Sequence, residues 1–474
     1  LRSGGFSLSK PRPLSAALAL AVALALAAAL LIAPAAAQAQ SPGAPGGGDP
    51  YFPLEGNGGY EVDHYDLQIS YAPPKNRLRG VTTIQASAMQ ALSAFDLDLL
   101  RLRVSDVTVD GAPAAFAHRG GELSIVPAAP ISSGSRFTVV IAYAGKPKPR
   151  GHGHFFPTGW TRTRDAAYGF SEPIGSPTWF PCNDLPSDKA TYSFSVTVPR
   201  RYRAIANGLP QPIERRRRSA TYRWSEDRPM VTYLATVAIG HFRLKPSRVE
   251  GIQAWTAVVP SERRISRKAL RRLPRILRFL TSRLGPYPFS STGSIVVTGT
   301  EPTALENQTR PTYVGEPFPE EMAHEMAHQW FGDAVSIERW SDIWLNEGFA
   351  TWVQWMWASG GSDADLRATF RAYYDTSKFF NPDFWKVPTA APGPQNLFGD
   401  AVYFRGGMTL EALRELVGDA TFYSILHDWV AQHLYGNATT EEFIALAEAE
   451  SGRSLSHFFD LWLYQPSKPV NWTG

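Results

Sequence analysis

His324-Glu325-Met326-Ala327-His328, with Glu347 of Asn346-Glu347-Gly348 following after eighteen intervening residues, is the stretch that decides how this chain reads. Two imidazoles four positions apart leave the same face of a helix and can reach one cation. A carboxylate from a later segment closes a three-ligand set that suits zinc at about 2.0–2.1 Å, with a fourth position open to water. Glu325 projects about 100° away from that face, beside the water, where a general base belongs. The expected local structure is helix, short link, helix. Pro317, Pro319, Glu320 and Glu321 predict a helix start and Gly332 a stop. A second helix is expected to open at Ser341, run through Trp344 to Trp357 and end at Gly360-Gly361, with Glu347 in its second turn. The bland alternative, a structurally satisfied histidine pair, has to explain Glu347 as coincidence.

Working outward, 474 residues exceed one hydrophobic core, and a 44% hydrophobic composition can bury two domains. Residues 1–39 differ from the rest. Arg2, Lys10 and Arg12 precede an Ala/Leu run at 16–33, then Pro34 and Ala37-Gln38-Ala39, which reads as a secretory signal cleaved near Ala39. An uncleaved membrane anchor is the alternative, because the run is long enough to span a bilayer. Loss of those three basic residues lowers the formal net charge from +4 to +1, so the basic pI says little about the mature chain. The basic stretches at 215–218 and 263–278 read as solvated faces, and no nucleic-acid partner is expected. Cys182 is the only cysteine, which excludes an intramolecular disulfide and lipid attachment after the apolar run.

Residues 40–50 are rich in Gly and Pro and read as a tether. From 51 to 243, short β-branched and aromatic segments bounded by Gly, Pro or Asp predict an all-β domain. Residues 244–474 read as a mainly helical domain, with an amphipathic helix at 265–284 and one strand at 294–298 before the histidine helix. The fold class expected is α+β.

Residues 324–333, the phrase Trp344-Leu345-Asn346-Glu347-Gly348-Phe349-Ala350 and Trp179-Phe180-Pro181-Cys182-Asn183-Asp184 together resemble the aminopeptidase N-like family of zinc metallopeptidases, the gluzincins, over about residues 50–470. The resemblance implies a saddle-like β domain followed by a thermolysin-like catalytic domain, and one Zn²⁺ per chain on His324, His328 and Glu347. Thr303-Ala304-Leu305-Glu306-Asn307 falls where the family carries Gly-Ala-Met-Glu-Asn, so Ala304, Leu305, Glu306 and Asn307 are implied to bind substrate, with Glu306 on the free amino group. Glu172 is implied as a second partner of that amine. Tyr403 matches the tyrosine that donates to the tetrahedral oxyanion, and Glu325 the general base. Without the resemblance, Tyr403 reads as a core aromatic and Glu306 and Glu172 as ordinary carboxylates. Thr303 and Leu305 depart from the family pattern, so first-residue preference does not transfer.

The function expected is a zinc-dependent aminopeptidase, exported to the periplasm or the exterior, acting on peptide or protein N-termini and without a stable membrane partner unless the apolar segment is retained. Only 71 residues follow Tyr403, too few for the helical repeat domain of longer relatives, so an open cleft is expected. Two alternatives stay open: an endopeptidase or other hydrolase on the same site, and a non-catalytic binding protein on this scaffold.

Overall fold

Strand Tyr60–Ala72 shows how the sequence builds the first sheet. Its buried residues are Tyr60 and Val62, then Tyr65, Leu67, Ile69 and Tyr71. The switch from even to odd positions coincides with a bulge between Val62 and His64, where one extra residue flips the side-chain parity and keeps the apolar face inward. The computed structural model describes residues 1, 4–5, 40–152, 155–299 and 303–471. The signal segment's apolar run and its cleavage site lie outside the described residues. The described residues from 41 onward fold together as one unit.

Tyr60–Ala72 sits fourth in an eight-stranded sheet ordered Leu209–Arg215, Ser219–Val231, Lys189–Pro199, Tyr60–Ala72, Arg77–Ala88, Arg136–Gly145, Arg103–Val109, Ala112–Pro113. A five-stranded sheet including Phe155–Arg162, Ala166–Phe170 and Val237–Gly240 and a four-stranded sheet centred on Leu92–Asp98 complete the β region. Aromatic rings pack in the β region: Trp160, Trp179 and Phe180 are fully buried, with Trp179 against both of the others.

Past residue 242 the chain is not helical at once. A five-stranded sheet runs in the order Arg243–Val249, Ile252–Val258, Ser291–Val297, Thr312–Val314, Thr303–Leu305, where the sequence predicts a single strand. The first of these strands is largely exposed and does not alternate, and the last two have three residues each, too short to show a period. Helix Leu273–Leu284 covers this sheet with Leu273, Ile276, Leu277, Leu280 and Leu284, all buried at helical spacing. Each contributes about 1.5–3 kcal/mol of burial. Helix Trp344–Ala358 is buried on nearly every face and forms the centre of the helical half.

Residues 41–50, expected as a tether, are bonded into the fold. Ser41–Pro42 pairs with Leu92–Asp98, and the buried Asp49 carboxylate accepts N–H bonds from Tyr51, Phe52 and Trp340. Gly and Pro here serve close approach: a Cβ on Gly43 would stand 2.5 Å from the Gly58 carbonyl oxygen.

Candidate active site

The histidine helix, Pro319–Ala327, opens on Pro319 with Glu320 and Glu321 in its first turn, and Glu321 reaches back to accept the Phe318 N–H at 3.3 Å. It ends at Ala327, and the chain then turns through residues 328–331 to Gly332, whose φ of 130° only glycine adopts readily. A 3-10 turn, Trp340–Asp342, leads into helix Trp344–Ala358, which places Glu347 in its first turn rather than its second.

Three side chains meet where these helices face each other. His324 Nε2 lies 3.1 Å and His328 Nε2 3.4 Å from Glu347 Oε2, and the three donor atoms fall within 4.8 Å of one another. His328 Nδ1 is 3.1 Å from the Phe331 carbonyl; donating that proton leaves Nε2 as the lone-pair atom facing the cluster. Glu306, Glu325 and His328 form a second, overlapping group of the same tightness. Two imidazoles and one carboxylate are the softer, zinc-suited set. The second group is dominated by carboxylates whose other surroundings suit a base and an ammonium partner.

The electrostatics call for a cation. Burial pushes the Glu172, Glu306 and Glu325 carboxyls up, and the Glu306 charge adds to the rise of Glu172. Glu347 goes the other way, down to about 2, because His328 and His324 outweigh its burial. Burial opposes charge on His328, yet Glu347, then Glu306 and Glu325, push it up to about 10. His324 is lowered, burial being the largest cause. Glu172 Oε1 and Glu306 Oε1 are buried acceptors with no protein donor. Such oxygens are costly unless a bound group supplies positive charge or N–H donors. The donor set therefore fits a divalent metal, and the two orphaned oxygens fit an ammonium.

Tyr403 stands on a π-turn, Ala401–Arg405, with its ring stacked 6.0 Å from that of His324. Burial and the neighbouring carboxylates hold its phenol well above the usual range, so it remains a proton donor. Glu172, Ala304 and Tyr403 line one cavity. Leu305 and Asn307 do not: Leu305 turns into the core at 2% exposure, and Asn307, fully buried, donates its Nδ2 to the Leu234 carbonyl at 3.1 Å while its Oδ1 has no protein donor. Thr303–Leu305 is a sheet edge, paired on one side only.

Several positioning residues carry no sequence signal. Gln329 Nε2 donates to the Glu306 carbonyl at 3.0 Å and to Asp333 Oδ2 at 2.6 Å, while its Oε1 accepts the Thr309 N–H, tying the histidine motif to the Glu306 segment. Gly348 packs backbone to backbone against Gly406, so that a Cβ there would lie 2.9 Å from the Gly406 Cα. Arg405, fully buried, donates to the carbonyls of Trp385, Val387, Leu461, Trp462 and Gln465 and fixes the turn carrying Tyr403. Asp342 and Asn346, near the ligands in sequence, do not hydrogen-bond the histidines: Asp342 accepts from Thr440, and Asn346 donates to Tyr233. Only Gly348 had a hint, in the bare Gly after Glu347.

Comparison with known proteins agrees with this geometry. The Peptidase M1 N-terminal domain matches residues 61–234 and the Peptidase family M1 domain residues 293–462. The M1 zinc metallopeptidase from Deinococcus radiodurans is 30% identical, with a TM-score of 0.80 over 89% of this chain and 98% of that one. A two-domain M1 zinc metallopeptidase variant bound to L-tryptophan is 29% identical, with a TM-score of 0.83 over 89% and 99%. Endoplasmic reticulum aminopeptidase 1 from Homo sapiens is 27% identical over 80% of this chain and 44% of its own length. Aminopeptidase 2 from Candida albicans is 23% identical over 86% and 47%. This chain thus spans about half the length of the curated relatives it matches. With the His-Glu-x-x-His helix, the Glu347 helix and both family domains in place, the chain belongs to the M1 family of zinc metallopeptidases.

Proposed function

We propose that the chain is a zinc-dependent aminopeptidase that hydrolyses the N-terminal peptide bond of peptides and proteins. One observation carries this reading: the orphaned Glu172 and Glu306 oxygens beside the two-histidine, one-carboxylate cluster, which suit a free amino group held next to a metal. His324, His328 and Glu347 would hold one Zn²⁺, and zinc in such a set lowers the pKa of water toward about 7 and polarises a carbonyl. Glu172 and Glu306 seat the substrate ammonium and so measure one residue to the cut. Glu325 takes the proton of the attacking water and returns it to the leaving amine, and the Tyr403 hydroxyl donates to the developing oxyanion. The unpaired edge of Thr303–Leu305 offers backbone groups for the peptide to pair with. Relatives bound to L-tryptophan and to Tyr-Ser-Ala support a site for the N-terminal residues of peptides.

We also infer export, on the basic, apolar and small-residue pattern of residues 1–39. No described helix is long and apolar enough to cross a membrane. The test uses protein from residue 40 onward on aminoacyl reporters and on N-terminally blocked peptides, with and without chelator. Hydrolysis of free-amine substrates that chelation abolishes, with blocked peptides left intact and Glu306→Ala failing mainly on free-amine substrates, is the expected result. Cleavage of blocked peptides at comparable rates would replace it with the endopeptidase reading.

A further inference from the structure

Beside the metal-binding cluster lies a cavity of about 590 Å³, well inside the roughly 300–1,000 Å³ range of small-ligand sites. Glu172 and Tyr403, from the site just described, form part of its wall, and the rest includes Phe156, Phe170, Phe398 and Gln395. Among the described residues the lining holds three phenylalanines, one carboxylate and no lysine, arginine or histidine. Phe156 is 64% exposed. An aromatic ring left in water at the wall of a cavity that two half-buried rings also line marks a place where an apolar group is received.

We propose that this cavity takes the side chain of the substrate's first residue and selects a bulky apolar one, such as phenylalanine, tyrosine, tryptophan, leucine or methionine. The proposal rests on the aminopeptidase reading, because an ammonium held by Glu172 and Glu306 is what directs the first side chain into this space. Charge sets the rest of the order. An acidic first residue enters a wall whose one formal charge is Glu172, with no cation to offset its desolvation. A basic one meets a carboxylate already engaged by its own α-amino group, and ranks between. A small one leaves the exposed Phe156 ring uncovered.

Each methylene in such a pocket is worth roughly 10- to 200-fold in kcat/KM. Phenylalanyl and leucyl reporters should therefore exceed the alanyl reporter by at least about 10-fold and the glutamyl reporter by more than about 100-fold. Phe398→Ala should lower the phenylalanyl and leucyl rates by at least about 10-fold more than the alanyl rate, and Gln395→Lys should raise the glutamyl rate relative to the phenylalanyl one. Binding of L-phenylalanine amide and L-glutamate amide to zinc-loaded Glu325→Gln protein should give the same order without turnover. Chelator-sensitive hydrolysis of any free-amine reporter upholds the aminopeptidase reading whatever the rank. A flat or acid-preferring rank in both turnover and binding, or a profile that neither pocket variant changes, overturns the pocket assignment alone.

Discussion

Gly348→Ala tests whether helix Trp344–Ala358 and helix Gly406–Val417, which follows the turn carrying Tyr403, are held at the distance the chemistry needs. An added Cβ would lie 2.9 Å from the Gly406 Cα and 3.0 Å from its carbonyl carbon. Carbon pairs settle at about 3.5–4.0 Å, so the helices must part by about 0.6 Å or more. Both contacts are backbone, and neither can swing aside. The stability effect is modest, since overpacking of about 1–3 kcal/mol is partly offset by the gain of about 1 kcal/mol from alanine in a helix. The functional effect is larger. Glu347 is the adjacent residue and Gly406 follows the turn that carries Tyr403, so the displacement separates the proposed metal ligand from the proposed oxyanion donor. A misplacement approaching 1 Å costs on the order of 100-fold in rate. The expected outcome is kcat down by about 30- to 100-fold, zinc affinity down by about 10-fold and a melting point within a few degrees of wild type. The assays are steady-state kinetics, zinc competition against a chromophoric chelator, and thermal unfolding. Gly406→Ala should behave alike, with the double variant far from additive because both act on one contact. Wild-type kcat and zinc affinity in a folded Gly348→Ala protein would refute the reasoning.

Three further expectations rest on other residues. Glu325→Gln should abolish turnover while zinc stays stoichiometric by metal analysis, because Glu325 is outside the His324, His328 and Glu347 group; loss of zinc would make it a ligand. Gln329→Ala strands the Glu306 carbonyl, the Thr309 N–H and the Asp333 carboxylate, at about 1–3 kcal/mol for each unsatisfied group. It should raise KM on free-amine substrates more than it lowers zinc content, measured by kinetics and metal analysis. Asp184 is raised to about 8 by burial and by Glu55, against Thr232 and Arg150, with Asp98 accepting its backbone N–H. The folded state therefore binds more protons than the unfolded one, and the stability this group contributes at low pH is lost as pH rises through about 8, with a slope of about 1.4 kcal/mol per pH unit for one proton. Denaturant melts from pH 5 to 8 should show that decline, and Asp184→Asn should flatten it by about one proton; an unchanged slope would place the titration elsewhere.

The parts of the molecule that depend on local pattern were readable from residues alone. The helix pair came from His324, His328, Glu347 and their flanking Pro and Gly, and the first sheet from alternation in segments such as Tyr60–Ala72. What sequence could not show depends on partners far along the chain. Gly348 and Gly406 touch across 58 positions, and Arg405 serves carbonyls up to 60 residues away. Asp49 meets the Trp340 N–H across 291 residues, which is why a Gly- and Pro-rich stretch read as a tether is in fact anchored. The edge strand Thr303–Leu305 is too short for periodicity, and its side chains divide between cavity and core in a way only the pairing reveals. Buried, orphaned oxygens on Glu172 and Glu306 are a property of tertiary enclosure and leave no trace in composition.

The central claim is a single divalent ion shared by His324, His328 and Glu347, and zinc X-ray absorption on protein from residue 40 onward tests it most directly. One zinc per chain with a first shell of two imidazole nitrogens and carboxylate or water oxygens at about 2.0–2.2 Å, losing the metal or the carboxylate signature in Glu347→Gln, is the predicted result. Zinc bound without dependence on Glu347, or a protein that purifies and stays metal-free in excess zinc, would contradict it.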